Sequence, residues 1–225
     1  MKLLVTRPEP GASATVARLI ALGHEPVLAP CLSILPRPAK LPQAPAAIII
    51  TSFQAVPALP ASYHAIPAFC VGDATAGRLR AAGFGSVESA SGDAKDLLRL
   101  IMQRRLPGTH LLAVGERHGL ALARQLRAAG VTVLRRTVYT AQPATTMPPA
   151  AREALQAGAI NFALFYSAET ARAFARLAPP STSSVTALAL SPAVADALRG
   201  LPWSEIRVAL APTEADLLAL LHERD

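Results

Sequence analysis

The chain has 225 residues, enough for two compact domains. Hydrophobic residues make up 52% and charged residues only 16%, which excludes an intrinsically disordered chain, and the longest aliphatic runs, such as Ala46 to Ile50, are too short to span a bilayer. A formal charge of +7 points to an anionic partner, but the arginines are dispersed and aromatics reach only 4%, which argues against nucleic acid.

The opening Met1 to Pro8 lacks the apolar run of a signal peptide, because Arg7 and Pro8 interrupt it. Cys31 and Cys70 are the only cysteines, so a disulfide framework is not expected and the chain reads as a soluble cytoplasmic protein. Lys2 to Thr6 predicts a short strand, followed by a helix that buries Val16, Leu19 and Ile20 and stops at Gly23, then an extended run at Pro26 to Leu28. Ile48 to Ile50 predicts a buried strand running into Thr51-Ser52 and a helix start. Phe69 to Val71 predicts another, ending at Gly72-Asp73 and leading into a helix that closes near Gly83. Ser91-Gly92-Asp93 opens a Leu-rich helix. Leu111 to Val114 ends at Gly115-Glu116, and a helix burying Leu122, Leu126 and Ala129 runs to Gly130 before a new extended run at Val131 to Leu134. Further on, Phe162 to Phe165 leads to Ser167, and Leu188 to Leu190 leads to Ser191-Pro192 and a helix ending near Gly200. Pro212-Thr213 opens the last Leu-rich helix.

These elements repeat, in permuted order. The segments starting at Ile48, Phe69, Ser91 and Leu111 form four βα units, and the segments at Phe162, Leu188 and Ala211 match the first three. The match to the fourth is the N-terminal segment. If both halves build the same sheet, the chain start must dock on its end, with the middle inserted between them. The reading is α/β: two similar doubly wound parallel-sheet domains joined by a two-stranded linker. Residues 1–35 plus 143–225 are expected to form a discontinuous domain and 40–136 the inserted one. The linker strands lie near 31–36 and 137–142, each extended and bounded by proline.

In open α/β sheets, ligands sit beyond the carboxyl ends of the strands. Those ends carry Thr6-Arg7, Ser52, Gly72, Ser91, Gly115, Ser167, Ser191 and Thr213, a set rich in hydroxyls and helix-start N–H groups suited to carboxylate or phosphate. Two such rims facing across a hinge would make an anion-binding cleft. Gly83-Phe84-Gly85 follows a helix and lacks a third glycine, so it is not a dinucleotide fingerprint. No Walker-type loop, no G-x-S-x-G elbow and no metal-ligand spacing among the five histidines and two cysteines occurs. The expected site therefore needs neither cofactor nor metal.

Val5-Thr6-Arg7-Pro8 resembles the start of uroporphyrinogen-III synthases, as do Ile50 to Val56, Val71 to Ala76, Gly92 to Leu98, Leu111 through Gly130 to Tyr139, and Phe165 to Ala168. The resemblance spans nearly the whole chain in order, and the family's fold has two α/β domains with a two-stranded linker. It implies a reaction of tetrapyrrole biosynthesis: linear hydroxymethylbilane loses its hydroxyl, closes, and inverts its last pyrrole ring to give uroporphyrinogen III. The implied partner is this polycarboxylate substrate, handled by a monomer that receives it from the preceding pathway enzyme, without nucleic acid or membrane. The resemblance makes Tyr139, matching the family's linker tyrosine, the candidate acid. It makes Thr6, Arg7, Ser52, Gly72, Thr75, Ser91, Gly115, Ser167, Ser191 and Thr213 the candidate substrate contacts. Where many members carry threonine after Ser191, this chain has Ala193-Val194. The competing reading is a non-enzymatic two-domain sensor of a small anion.

Overall fold

The structure, a computed structural model, describes residues 1–222. In chain order it runs β1 (Lys2–Val5), α1 (Gly11–Ala21), β2 (Glu25–Leu28), β3 (Leu32–Pro36), β4 (Ala47–Ile50), β5 (Ala68–Cys70), α2 (Asp73–Ala81), β6 (Val87–Ser89), α3 (Ala94–Arg104) and β7 (His110–Gly115). It continues with α4 (Leu120–Ala128), β8 (Val133–Pro143), α5 (Pro149–Gln156), β9 (Phe162–Phe165), α6 (Ala168–Arg176), β10 (Thr186–Ala189), α7 (Pro192–Leu198), β11 (Glu205–Val208) and α8 (Glu214–Ala219).

Two sheets form. One has the order β11-β10-β9-β1-β2, the other β6-β5-β4-β7-β8-β3. Leaving out β3, they are the same arrangement: third, second, first and fourth repeat unit, then the strand after the fourth. Leu3 to Val5 pairs in parallel with Phe162 to Leu164 on one side and with Pro26 to Leu28 on the other, while Ile48 to Ile50 pairs with Ala68 to Cys70 and with Leu111 to Ala113. The contacts divide the chain into two compact units, Met1–Ser33 with the chain from Gln142 onward, and Ile34–Ala141.

Each sheet is covered on both faces, so its central strands β9, β1, β4 and β7 are mostly apolar. Alternation then decides which layer a residue enters. In the first unit Leu4 joins a core with Phe165, Phe174 and Leu155, while Leu3 and Val5 join Leu19, Leu164 and Leu217 on the other face. In the second, Ile48 and Ile50 pack with Leu79 and Phe84, and Ala47 and Ile49 with Leu97, Leu122 and Leu126. Both cysteines are buried thiols, pushed up to about 12 for Cys31 and about 11 for Cys70, in each case first by burial.

Local signals act as chemistry predicts. Gly23 and Gly130 adopt left-handed φ of 77° and 82° just past α1 and α4. Asp93 caps α3, accepting from the N–H groups of Lys95 and Asp96, and Asp96 accepts in return from the Asp93 N–H. Two sequence expectations change. The helix expected after Ser52 is a 3-10 segment over Phe53–Ala58, because Pro57 inside it removes a backbone donor. Ile20 is 59% exposed, since the buried stripe of α1 runs through Ala12, Thr15 and Leu19 and leaves Ile20 on its flank.

Candidate active-site rims at the strand carboxyl ends

In the first unit the carboxyl ends of β1 and β9, the helix α1 and the start of α8 meet in one polar cluster. Glu214, the first residue of α8, is its hub. Its Oε1 accepts from the Thr15 hydroxyl at 2.6 Å, from the Tyr166 hydroxyl at 2.7 Å and from Arg7 at 3.2 Å, and its Oε2 accepts from Arg18 at 2.9 Å. The Arg7 guanidinium also lies over the Tyr166 ring, 3.9 Å from its centroid. Burial pushes the Glu214 carboxyl up, but the hydrogen bonds from Thr15 and Tyr166 and the charges of Arg7 and Arg18 outweigh it, so it lies below the usual carboxylate range. Burial and the Glu214 charge raise the Tyr166 phenol.

Around the cluster, Ser167 caps α6, its Oγ accepting from the Thr170 N–H at 3.1 Å, and Thr213 caps α8 from the Asp216 N–H at 3.1 Å. Ser191 precedes α7 but accepts no capping bond through its side chain. Thr6 is fully buried, and its hydroxyl donates to the Leu164 carbonyl at 2.5 Å, so it ties β1 to β9 beneath the rim and is not on the rim itself. Ser167→Ala is expected to lower the stability of this unit by about 1 kcal/mol, whereas Ser191→Ala should change it by less than about 0.5 kcal/mol. Urea unfolding followed by the fluorescence of Trp203, the one tryptophan, whose ring stacks on Phe174, checks both.

The second unit presents a different rim. Gly72 precedes α2, with nothing within 4 Å of where a Cβ would stand, so its backbone is open to approach. Ser91 adopts a left-handed φ of 48° and donates through Oγ to Asp73 at 3.0 Å; hydrogen bonds from Ser89 and Ser91 hold the Asp73 carboxyl low. Ser52 accepts from the Gln54 N–H at 3.3 Å, and Thr75 is buried on the inner face of α2.

Where β7 and β8 end, the register slips: Val114 pairs with Thr137, and the next residue, Gly115, pairs with Tyr139. The extra residue is Val138, and the bulge lets Val138 and Tyr139 both pack into one core layer despite being sequence neighbours. Tyr139 is 6% exposed. Its ring edge and hydroxyl lie over Gly115, where an added Cβ would stand 2.7 Å from the ring and 2.9 Å from the hydroxyl. Glu116 follows, accepting from Arg37 and from the Thr140 hydroxyl at 3.2 Å, while Arg135 donates to the carbonyls of Glu116 and His118 at 2.8 and 2.7 Å. The hydrogen bond and charge of Arg37 hold Glu116 low. The turn carrying Gly115 is thus fixed from both sides.

The rims thus bring together Arg7, Ser167 and Thr213 in one unit, and Gly72 with Ser91 and Gly115 with Tyr139 in the other. Thr15, Arg18, Tyr166 and Glu214 were not anticipated. Among the described residues no cluster of three or more His, Cys, Asp or Glu side chains is placed to hold a metal ion.

A family model described as uroporphyrinogen-III synthase HemD matches residues 13–219. The chain belongs to the uroporphyrinogen-III synthase family. Solved structures agree in fold: uroporphyrinogen-III synthetase from Helicobacter pylori is 18% identical with 98% of each chain covered and a TM-score of 0.65. A mutant uroporphyrinogen III synthase from the extremely thermophilic bacterium Thermus thermophilus is 22% identical, covering 98% of this chain and 96% of that one, with a TM-score of 0.53. No curated protein matches the sequence. No helix among the described residues is long and apolar enough to cross a membrane. As a member of this family it is a cyclising lyase of tetrapyrrole biosynthesis.

Proposed function

We propose that this chain converts hydroxymethylbilane to uroporphyrinogen III and water, acting as a cytoplasmic monomer. The family match over residues 13–219 is the observation that carries this reading. The chemistry available at the rims supports it. The hydroxyl leaves as water once it receives a proton, while a pyrrole nitrogen supplies the electrons that expel it. The resulting electrophile closes on the last ring, which inverts by way of a spirocyclic intermediate. No nucleophile is needed, and positioning with electrostatic stabilisation suffices. In this reading Tyr139 delivers the proton at the Gly115 turn. Substrate carboxylates engage Arg7 and the hydroxyls of Ser167, Ser191 and Thr213 in one unit, and Ser52, Ser91 and the open backbone of Gly72 in the other. Thr6 and Thr75 stand behind the rims as supports.

The test is to supply hydroxymethylbilane, generated in place, and to separate isomers III and I after oxidation. Formation of isomer III faster than spontaneous closure to isomer I supports the reading. Isomer I alone, at the spontaneous rate with folded protein, refutes it.

A further inference from the structure

A cavity of about 360 Å³ lies in the second unit at the edge opposite its rim, where β7 and β8 begin. Ile101, Leu106 and Val131 supply its apolar lining, with Met102 at the surface, and three polar side chains line it, those of His110, Arg105 and Thr132. The volume is at the small end of the range for ligand sites.

His110 and Arg105 are arranged differently. His110 is 2% exposed, and its Nδ1 lies 3.2 Å from the Gly108 carbonyl. A carbonyl only accepts, so Nδ1 carries the proton and, in the neutral ring, Nε2 is left as an acceptor. Among the described residues Nε2 has no hydrogen-bond partner, and it is not sealed from the cavity. The C-terminal ends of α3 and α4 also line it, and a helix C-terminus carries partial negative charge. The interior therefore favours a hydrogen-bond donor. Arg105 is exposed at the mouth, held in the left-handed region at φ 45°. Its neighbour Arg104 is committed to Glu88, but no carboxylate among the described residues pairs with Arg105. The mouth therefore favours an anion.

We propose that this cavity is a ligand site for a small N–H heteroaromatic carboxylate, its ring N–H donated to Nε2 of His110, its face against Leu106 and Val131, and its carboxylate on Arg105. Nothing in this assignment depends on the reaction at the rims.

The probe is pyrrole-3-carboxylate, titrated at pH 8 into protein labelled with ¹⁵N. Saturable shifts are expected at residues 101–110 and 129–132, with residues 72 and 91–93 unmoved. Furan-3-carboxylate, which replaces the N–H by an acceptor oxygen, should bind about tenfold more weakly or worse, because His110 would then face a lone pair. His110→Phe should reduce pyrrole binding by about the same factor, and Met102→Trp, at an exposed position, should block it while leaving the fold intact. Equal affinity for pyrrole and furan would overturn the proposal. So would shifts centred on residues 72 and 91–93, or no saturable binding.

Discussion

Tyr139→Phe is expected to slow formation of isomer III roughly 10- to 100-fold, with the unrotated isomer rising in the product mixture and the apparent KM little changed. The substitution keeps the ring that fills the core beside Val138 and removes only the hydroxyl lying over Gly115. Acid catalysis commonly contributes about 10²–10⁴-fold, and a closure that already proceeds unaided belongs near or below the lower end. Gly115→Ala supplies the complementary perturbation. It retains the phenol but forces the ring away, since the new methyl group would sit 2.7 Å from the ring carbons, so the isomer ratio should move the same way. If Tyr139→Phe retains full rate while Tyr139→Ala unfolds the second unit, the tyrosine is a packing residue and the proton comes from elsewhere.

Loss of Glu214 should produce the largest stability effect at either rim. Glu214→Ala removes the carboxylate that Arg7, mostly buried, and the hydroxyls of Thr15 and Tyr166 all bond, leaving those two hydroxyls only each other as acceptor, at 3.2 Å. Breaking such a pair from one side costs about 3–5 kcal/mol when fully buried; with a quarter of the Glu214 side chain exposed, about 2–4 kcal/mol is expected. Trp203 fluorescence in urea reads the first unit and should show the loss. The pH dependence has a definite sign. Because the folded-state carboxyl lies below its unfolded value of about 4.3, its stabilising contribution is complete above that value and disappears as pH falls through the folded value. Glu214→Gln should therefore flatten the decline in stability below about pH 4.5. An unaltered acid limb would show that the Glu214 charge contributes nothing.

Much of the fold was legible because parallel sheets covered on both faces write their strands as apolar runs. Ala47 to Ile50 and Leu111 to Val114 are such runs, and the glycines at 23 and 130 mark where the helices α1 and α4 stop. The permuted order of the units was visible for the same reason, being a property of the succession of elements and not of any motif. The 3-10 segment after Ser52 was readable in principle, since Pro57 is in plain sight. The Glu214 cluster was not. Its partners lie 196 to 207 residues away for Arg18, Thr15 and Arg7, and 48 for Tyr166, so no local spacing reveals it. A glutamate after a capping threonine reads as ordinary helix-start chemistry. The bulge at Val138 was equally hidden, because a single surplus residue in a strand becomes visible only against the partner it slips past.

The central place of β1 in its sheet also bears on how the chain is made. β1 leaves the ribosome ahead of the other strands of its sheet, and one of its two neighbours, β9, begins only at Phe162. Ile34–Ala141 is contiguous and can fold as it emerges, so at about 5–20 residues per second the N-terminal strands wait on the order of ten seconds with an apolar edge open. For that interval Leu3, Leu4 and Val5 are a chaperone substrate or an aggregation seed, and the order of synthesis makes the second unit the older half of the molecule.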